Sequence, residues 1–294
     1  PQEESASSIA KMMVGDLADQ DAGYSKKDGH TVIFEAKEFT LPTKQPFGTS
    51  LKKVNFSLKA GEILGIAGVA GNGQDELMAA ISGEDGRPVD NMLYLNQQDI
   101  GAFDAGKRRK LGMANVPEER LGRGAVPDMS LQDNGLLTGY QGDLTHNGFI
   151  NTHKVKAFAQ NILEKFNVKA AGIHAQAKSL SGGNLQKYII GREILQNPKL
   201  LVCSHPTWGV DIGAAILIRH ELIKLRDEGC AVLVVSEDID ELYSISDRIC
   251  AICDGELSPV APTHDVSINQ LGMWMAGDFH AANNNSPASE GAIK

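Results

Sequence analysis

The chain is 294 residues long, 42% of them hydrophobic, and it carries a formal net charge of −9. This length and apolar content suffice for one large domain or two small ones with a buried core. The acidic balance argues against a nucleic-acid-binding protein, which usually carries a basic surface. No apolar run approaches the roughly 18–20 residues that a membrane-spanning helix needs, so we expect no transmembrane segment in this sequence.

The N-terminal part of the sequence has the pattern of a domain end followed by a linker. Apolar side chains at helical spacing lead into a polar, charged stretch before residue 30. Because the chain starts at Pro1 rather than Met, in the middle of a pattern, we expect a fragment of a longer polypeptide. We predict a preceding domain end and linker over residues 1–29, a main domain over 30–279, and a disordered tail over 280–294.

Strand patterns of two kinds open and fill the main domain. Residues 32–34 and 54–58 alternate apolar and polar side chains, which predicts antiparallel strands with one buried face. Residues 63–67, 200–203 and 231–235 are short continuous apolar runs, which predict parallel strands buried on both faces.

Three stretches have the apolar spacing of helices, at residues 76–81, 151–168 and 214–227. The last of them lies between two predicted buried strands and so completes a βαβ unit, the building block of a parallel sheet. The sequence therefore predicts an α/β fold.

The four cysteines, Cys203, Cys230, Cys250 and Cys253, all lie in or beside apolar runs. The single CxxC at residues 250–253 has no second pair, so we predict no zinc site. Reduced core cysteines of a cytosolic protein are the favoured interpretation.

Residues 68–75, Gly-Val-Ala-Gly-Asn-Gly-Gln-Asp, follow a predicted strand and open a predicted helix. Backbone N–H groups converge at such a helix N-terminus and favour an anion. A complete P-loop would place a Lys on the terminal phosphates and a hydroxyl on Mg²⁺. Gln74 and Asp75 stand at these positions, so we expect weak triphosphate binding. Taken alone, the loop leaves open a dinucleotide-binding turn that lacks its third glycine at Glu76, and a plain glycine-rich turn.

A second candidate for contact with phosphate lies at residues 180–187, Leu-Ser-Gly-Gly-Asn-Leu-Gln-Lys. Ser181, Gly182 and Gly183 begin an apparent helix, where small residues leave N–H groups and the helix dipole open to an anion. A bare Ser-Gly-Gly is a weak signal, whereas the full octamer shortly before a buried strand is a strong one.

With both motifs in place, the chain resembles the ATP-binding subunits of ABC importers over nearly its whole length. Residues 180–187 resemble the signature motif, residues 206–211 the D-loop segment and residues 116–120 the Q-loop region. The resemblance implies ATP and Mg²⁺ as ligands. It also implies a P-loop NTPase-like α/β fold with a parallel core sheet, an antiparallel β subdomain and a helical subdomain over about residues 125–190.

The departures from this family pattern all weaken the domain's own nucleotide site. Ser204 replaces the Walker B Asp that holds Mg²⁺, and His205 replaces the Glu that positions water. Glu237 replaces the switch His, and Glu118 replaces the Q-loop Gln. Phosphoryl transfer depends on positioning and charge neutralisation, so we expect a non-hydrolysing or empty site. His205 stays open as a substitute base, although a polar residue at a strand end is the plainer interpretation.

The same pattern is similar to the second nucleotide-binding domain of tandem ABC ATPases that serve simple-sugar and nucleoside importers. The segments Gly-Val-Ala-Gly-Asn-Gly-Gln and Val-Pro-Glu-Glu-Arg look most like the nucleoside branch. Because two such domains stack head to tail, the resemblance implies that Ser181, Gly182 and Gly183 contact ATP held by an N-terminal domain. Asp211 would be the D-loop contact across that interface. The sequence does not identify the transported solute.

Partners and location follow from the same resemblance. They are an N-terminal nucleotide-binding domain of the same polypeptide, transmembrane permease subunits against residues 118–134, and indirectly a lipoprotein or periplasmic receptor. The protein would be peripheral, at the cytoplasmic face of the inner (plasma) membrane. Two other functions were weighed. The intact signature argues against a regulatory or scaffold domain, and the absence of a basic surface argues against a soluble ABC protein that acts on nucleic acid.

The candidate catalytic residues are Ser181, Gly182, Gly183, Asp211, His205 and Glu237. The candidate nucleotide-binding residues are Phe47, as the aromatic stacked on adenine, and Gly68, Gly71, Asn72, Gly73, Gln74, Asp75 and Glu118. No metal ligand is predicted.

Overall fold

A computed structural model describes residues 31–44 and 46–280. The predictions for residues 1–29 and for all but the first residue of the 280–294 tail therefore fall outside the described residues. The strands are β1 (Val32–Leu41), β2 (Leu51–Lys59), β3 (Ile63–Ala67), β4 (Leu93–Leu95), β5 (Gln98–Asp99), β6 (Met113–Val116), β7 (Thr145–His146), β8 (Phe149–Ile150), β9 (Leu200–Ser204), β10 (Ala231–Ser236), β11 (Arg248–Cys253), β12 (Glu256–Leu257) and β13 (Ala261–Pro262). The helices are α1 (Gln74–Ser82), α2 (Ala105–Lys110), α3 (Leu131–Gly139), α4 (Thr152–Lys165), α5 (Gly182–Ile194), α6 (Ile212–Asp227), α7 (Ile239–Ile245) and α8 (Ile268–Met275), with 3-10 turns at Ala177–Ser179 and Thr263–Asp265.

The central sheet has the strand order β12-β11-β3-β10-β9-β6, with β13 paired to β11. The β11–β3, β3–β10, β10–β9 and β9–β6 pairs are all parallel, and Val234 of β10 lies opposite Gly65 on one side and Cys203 on the other. Every residue of β3, β9 and β10 is buried. This confirms the prediction of a parallel sheet from three continuous apolar runs, because strands covered on both faces need no polar side.

The antiparallel sheet has the order β2-β1-β4-β5 and packs beside the central sheet. In β2, buried residues alternate with more exposed ones over most of the strand, as half-buried strands do. Strands β4 and β5 were not predicted because they are only three and two residues long. The sequence signals were also too weak to predict β6 and β11.

The helical part between residues 125 and 194 contains α3, the short β7–β8 hairpin, α4 and α5. Side-chain caps begin several helices, among them Ser130 on α3, Asn151 on α4 and Asp211 on α6, each accepting a hydrogen bond from a backbone N–H three residues later. The helices predicted at residues 76–81, 151–168 and 214–227 are confirmed as α1, α4 and α6.

The core lies on both faces of the central sheet. Alternate strand residues pack on one face against α4, α5, α6 and α8, and on the other against α1 and the antiparallel sheet. The four cysteines are free thiols; three are buried and Cys253 is partly exposed. Among the helices of the described residues, none has the length and apolar character to cross a membrane.

Candidate functional site

The glycine-rich loop joins β3 to α1, as the sequence predicts. Gly71 and Gly73 have φ angles of 85° and 107°, which side chains rarely allow. A Cβ on Gly68 would lie 2.6 Å from the Gln74 amide nitrogen. The loop therefore needs these glycines for its curvature, and its interior is tightly filled.

Gln74 fills the loop with its own side chain. Its Oε1 accepts a hydrogen bond from the Asn72 backbone N–H (3.0 Å), and its Nε2 donates to the Val69 carbonyl (2.8 Å). The side chain is only 6% exposed. One of the backbone donors that a phosphate would use is thus already bound to a neutral amide. A neutral hydrogen bond contributes about 1 kcal/mol, against about 1.5–3 kcal/mol for a charge-assisted one.

Neighbouring segments hold the loop from outside. Thr49 Oγ1 donates to the Gly71 carbonyl (2.6 Å), and the Thr49 N–H donates to Glu76 Oε1 (2.9 Å). Asn72 Nδ2 donates to the Val69 carbonyl, and Asn72 Oδ1 accepts from the Asp254 N–H. Phe47 is fully exposed two residues before Thr49, so an aromatic ring lies near the loop in sequence but packs on nothing.

A cavity of about 480 Å³ opens beside the loop, and several predicted residues meet in it. Its lining residues are Ala70, Gln74, Asp75, Glu118, His205, Thr207, Trp208, Gly209, Ser236, Glu237, Asp238 and Glu241. Within the part of the chain that the structure describes, this lining holds five carboxyl groups and no Lys or Arg.

This charge pattern does not fit a nucleoside triphosphate. The repulsion between a carboxylate and a phosphate oxygen about 5 Å apart amounts to about 3 kcal/mol at an effective dielectric constant of about 20. A triphosphate in this cavity would need cations to offset its repulsion from several such carboxylates. Over residues 31–44 and 46–280, no cluster of three His, Cys, Asp or Glu side chains is arranged to hold a metal ion. Among the described residues, the cavity lining thus offers neither a Lys or Arg for a triphosphate nor such a cluster for Mg²⁺.

His205 and Glu118, two of the residues predicted to belong to the nucleotide site, contact each other. His205 Nδ1 lies 3.4 Å from Glu118 Oε2 and 3.1 Å from Ser204 Oγ. The φ angle of His205 is 46°, an unfavourable value for a residue with a side chain. The pair links the end of β9 to the segment after β6.

Glu241 is the buried member of the acidic cavity. It is 1% exposed and accepts hydrogen bonds from Thr207 Oγ1 (2.6 Å) and Ser236 Oγ (2.8 Å). Burial raises the pKa of its carboxyl group, although the two hydrogen bonds oppose this rise. Glu237, by contrast, is exposed at the rim.

The signature residues lie outside this cavity, at the start of α5. Ser181 is the N-cap; its hydroxyl accepts a hydrogen bond from Asn184 Nδ2 (2.9 Å) and makes no cap hydrogen bond to a first-turn N–H. Ser181 and Gly182 are exposed. A Cβ on Gly183 would lie 3.4 Å from Asp211 Oδ2, so the predicted D-loop residue is beside the signature, where it also caps α6.

Several residues that lie at these surfaces were not among the predicted site residues. Trp208, to which no role was assigned from the sequence, is 66% exposed at the cavity. Arg120 and Glu241 were missed as well, because each meets its partners through contacts with segments far along the chain. Arg120 had one signal, since it belongs to the segment that resembles the Q-loop region.

The parallel sheet, the strand–loop–helix unit and the antiparallel sheet together define the ABC ATPase fold. A family model described as "ABC transporter" matches residues 51–208. Over 275 residues the chain is 38% identical to the nucleoside import ATP-binding protein NupA of Lactococcus lactis, covering 92% of this chain and 53% of that protein. The chain therefore belongs to the ABC transporter family.

Other relatives agree. The guanosine import ATP-binding protein NupO of Bacillus subtilis is 36% identical over 78% of this chain and 45% of its own length. The xylose import ATP-binding protein XylG of Moorella thermoacetica is 30% identical over 87% of this chain and 51% of its own length. The chain thus spans about half the length of these relatives.

Among solved structures, a dimeric ATP-binding cassette in a post-hydrolysis state with bound ADP and phosphate superposes with a TM-score of 0.68 at 24% identity. It covers 79% of this chain and 99% of that cassette. This likeness confirms the fold.

Proposed function

We propose that this chain is the C-terminal nucleotide-binding domain of an ABC importer ATPase. In this proposal its signature motif contacts ATP that is bound by an N-terminal domain of the same polypeptide. Its own nucleotide site does not hydrolyse ATP. The family membership and the relatives of about twice this length support the tandem arrangement. The contrast between its two phosphate-facing surfaces supports the division of labour.

The acidic cavity is the observation that carries the proposal. Five carboxyl groups line the cavity beside the glycine-rich loop, and among the described residues this lining holds no Lys or Arg. The start of α5 has the opposite character, with Ser181 and Gly182 exposed and no side-chain cap hydrogen bond from Ser181 to the first-turn N–H groups. One surface repels phosphate and the other attracts it.

The solute class rests on the relatives. Two of them are nucleoside and guanosine import proteins, and others import xylose, glucose or galactose. The 38% identity to the nucleoside protein favours a nucleoside as the transported solute. The partners would be transmembrane permease subunits that contact residues 118–134 at the inner face of the plasma membrane, and a lipoprotein or periplasmic receptor acting through them.

The test is ATP hydrolysis by the full-length protein with Ser181→Arg. A bulky cation at the first turn of α5 would block the phosphate, and we expect a loss of at least about a hundredfold, as when a phosphate-facing donor set is removed. Gln160→Arg on the exposed face of α4 adds the same charge elsewhere and should leave turnover unchanged. Thermal melting of both variants reports on the fold.

Normal turnover in Ser181→Arg, with Mg-ATP bound, would contradict the composite site. A domain that takes no part in hydrolysis, such as a regulatory or scaffold domain, would then be the better description.

A further inference from the structure

One guanidinium group joins three segments that meet beside the signature. Arg120 Nε donates a hydrogen bond to Gln186 Oε1 on α5 (3.0 Å), and Arg120 Nη2 donates to the Trp208 carbonyl. Gln186 is 1% exposed, and its Nε2 donates to the Pro206 carbonyl (2.9 Å). Arg120 and Gln186 thus link the segment after β6, the signature helix and the segment before α6.

The same guanidinium lies against the first residue of α5. A Cβ on Gly182 would be 2.8 Å from Arg120 Nη1, and one on Gly209 would be 3.5 Å from Nη2. Any side chain at Gly182 would displace Arg120. The Arg120 guanidinium is thus in close contact with the first turn of α5 as well as hydrogen-bonded to Gln186.

The chemistry of this contact requires a fork of donors. Arginine presents several N–H groups in one plane, so it can bind an amide oxygen and a carbonyl at once, which the single ammonium of lysine does poorly. Burial lowers the pKa of Arg120, and no carboxylate of the described residues forms an ion pair with it. The group is held by neutral oxygens, as suits a geometric clamp rather than an ion pair.

We propose that Arg120 is a positioning residue for the composite ATP site. It holds the start of α5 and the segment of residues 206–209 at one fixed spacing. Both segments can therefore contact the partner domain in a constant relative position. This inference rests on the proposed function. Arg120 follows Glu118 by two residues, so a movement of the segment proposed to face the permease would also shift the signature.

The experiment compares steady-state ATP hydrolysis by full-length Arg120→Lys, Arg120→Gln and Gln186→Leu variants. We expect kcat to fall at least about tenfold in all three with KM for ATP changed less than about threefold, because misplacing a group that acts in the transition state lowers kcat selectively. Arg87→Gln is the control: Arg87 binds the Pro42 carbonyl and pairs with Asp85, and neither contact involves α5. It should keep wild-type kcat.

The outcomes separate this proposal from the one on which it rests. If Arg120→Lys keeps wild-type kcat while Arg120→Gln loses it, charge alone suffices and the fork is not required, which overturns the proposal. If all three variants keep kcat while Ser181→Arg loses it, the composite site stands and only Arg120's role is wrong. If Ser181→Arg is also active, the proposed function fails first. Unchanged melting temperatures in the variants, together with the kcat loss, exclude a fold defect.

Discussion

At the scale of single residues, Gln74 changes the character of the glycine-rich loop. Its amide binds the N–H of Asn72 and the carbonyl of Val69, so the loop is closed upon itself. Asp75, the next residue, adds a carboxylate at the exposed start of α1. We expect both residues to weaken phosphate binding, Gln74 by occupying a backbone donor of the loop and Asp75 by repulsion.

We therefore expect no Mg-ATP binding in the micromolar range when this chain is titrated by calorimetry. Gln74→Lys alone should not restore hydrolysis, because Asp75 and the other cavity carboxylates remain and Ser204 offers no carboxylate for Mg²⁺. Calorimetry and an ATPase assay on both forms measure this. Clear turnover by Gln74→Lys would mean that the acidic cavity tolerates a triphosphate.

At the scale of the element, α5 is constrained beyond its signature residues. Apart from its first turn, nearly the whole helix is buried, and it packs against α4, α6 and β6. Gly191 lies within the helix because a Cβ there would approach the Phe166 ring to 2.5 Å. Glycine has a poor helix propensity, but at this position it allows the close packing of α5 against Phe166.

Two glycines within helices, Gly191 and Gly272, should respond in opposite ways to replacement by alanine. Gly191→Ala should lower the free energy of unfolding by at least about 1 kcal/mol, because a rigid buried ring cannot yield cheaply. Gly272, inside α8, has open space around its Cα. Gly272→Ala should raise the free energy of unfolding by about 0.5–1 kcal/mol. Urea unfolding measures both, and equal stabilisation by the two changes would mean that Phe166 does not constrain α5.

At the scale of the whole molecule, a buried network of ion pairs joins α2, which contacts β6 of the central sheet, to the helical part between residues 125 and 194. Glu193 of α5 is fully buried; its Oε2 accepts from Arg109 of α2 (2.6 Å) and its Oε1 from Arg192 (2.8 Å). Arg192 also donates to the Asn134 carbonyl of α3. Burial alone would raise the pKa of Glu193, but the two arginines outweigh it and hold the pKa below its ordinary value.

Removal of the Glu193 carboxylate should strongly lower the free energy of unfolding. Glu193→Ala leaves two guanidinium groups without their shared partner, and we expect a loss of about 3–5 kcal/mol in the free energy of unfolding. Asp128→Ala, which breaks an exposed pair with Lys178, is the control and should cost less than about 1 kcal/mol. A loss in Glu193→Ala no larger than this control would show that the network contributes little.

The pH dependence of the same network follows from the sign of the shift. The folded pKa of Glu193 lies below its unfolded value, so its contribution is present above the unfolded pKa and is lost as the pH falls through the folded pKa. The stability difference between the wild type and Glu193→Ala should therefore shrink on acidification.

Much of the fold was predictable because its strongest signals are local. The continuous apolar runs of β3, β9 and β10 and the helical spacing of α4 and α6 arise within single segments, so the sequence alone identified them. Strands β6 and β11 take their place in the sheet from pairing with β9 and β3. Such pairing depends on distant residues and leaves only a weak pattern in the strand itself.

The family resemblance, the two glycine-containing motifs and the Gln at position 74 could be recognised from the sequence because each depends on consecutive residues. Three features could not be read from the sequence: the Gln74 side chain bonded into its own loop, the five carboxyl groups in one cavity, and the Arg120 hydrogen bond to Gln186 of α5. The Gln74 hydrogen bonds are local and depend on the conformation of the loop, whereas the cavity and the Arg120 contact bring together segments that are far apart in the chain. Their geometry and combined charge exist only once the packed core brings those segments together.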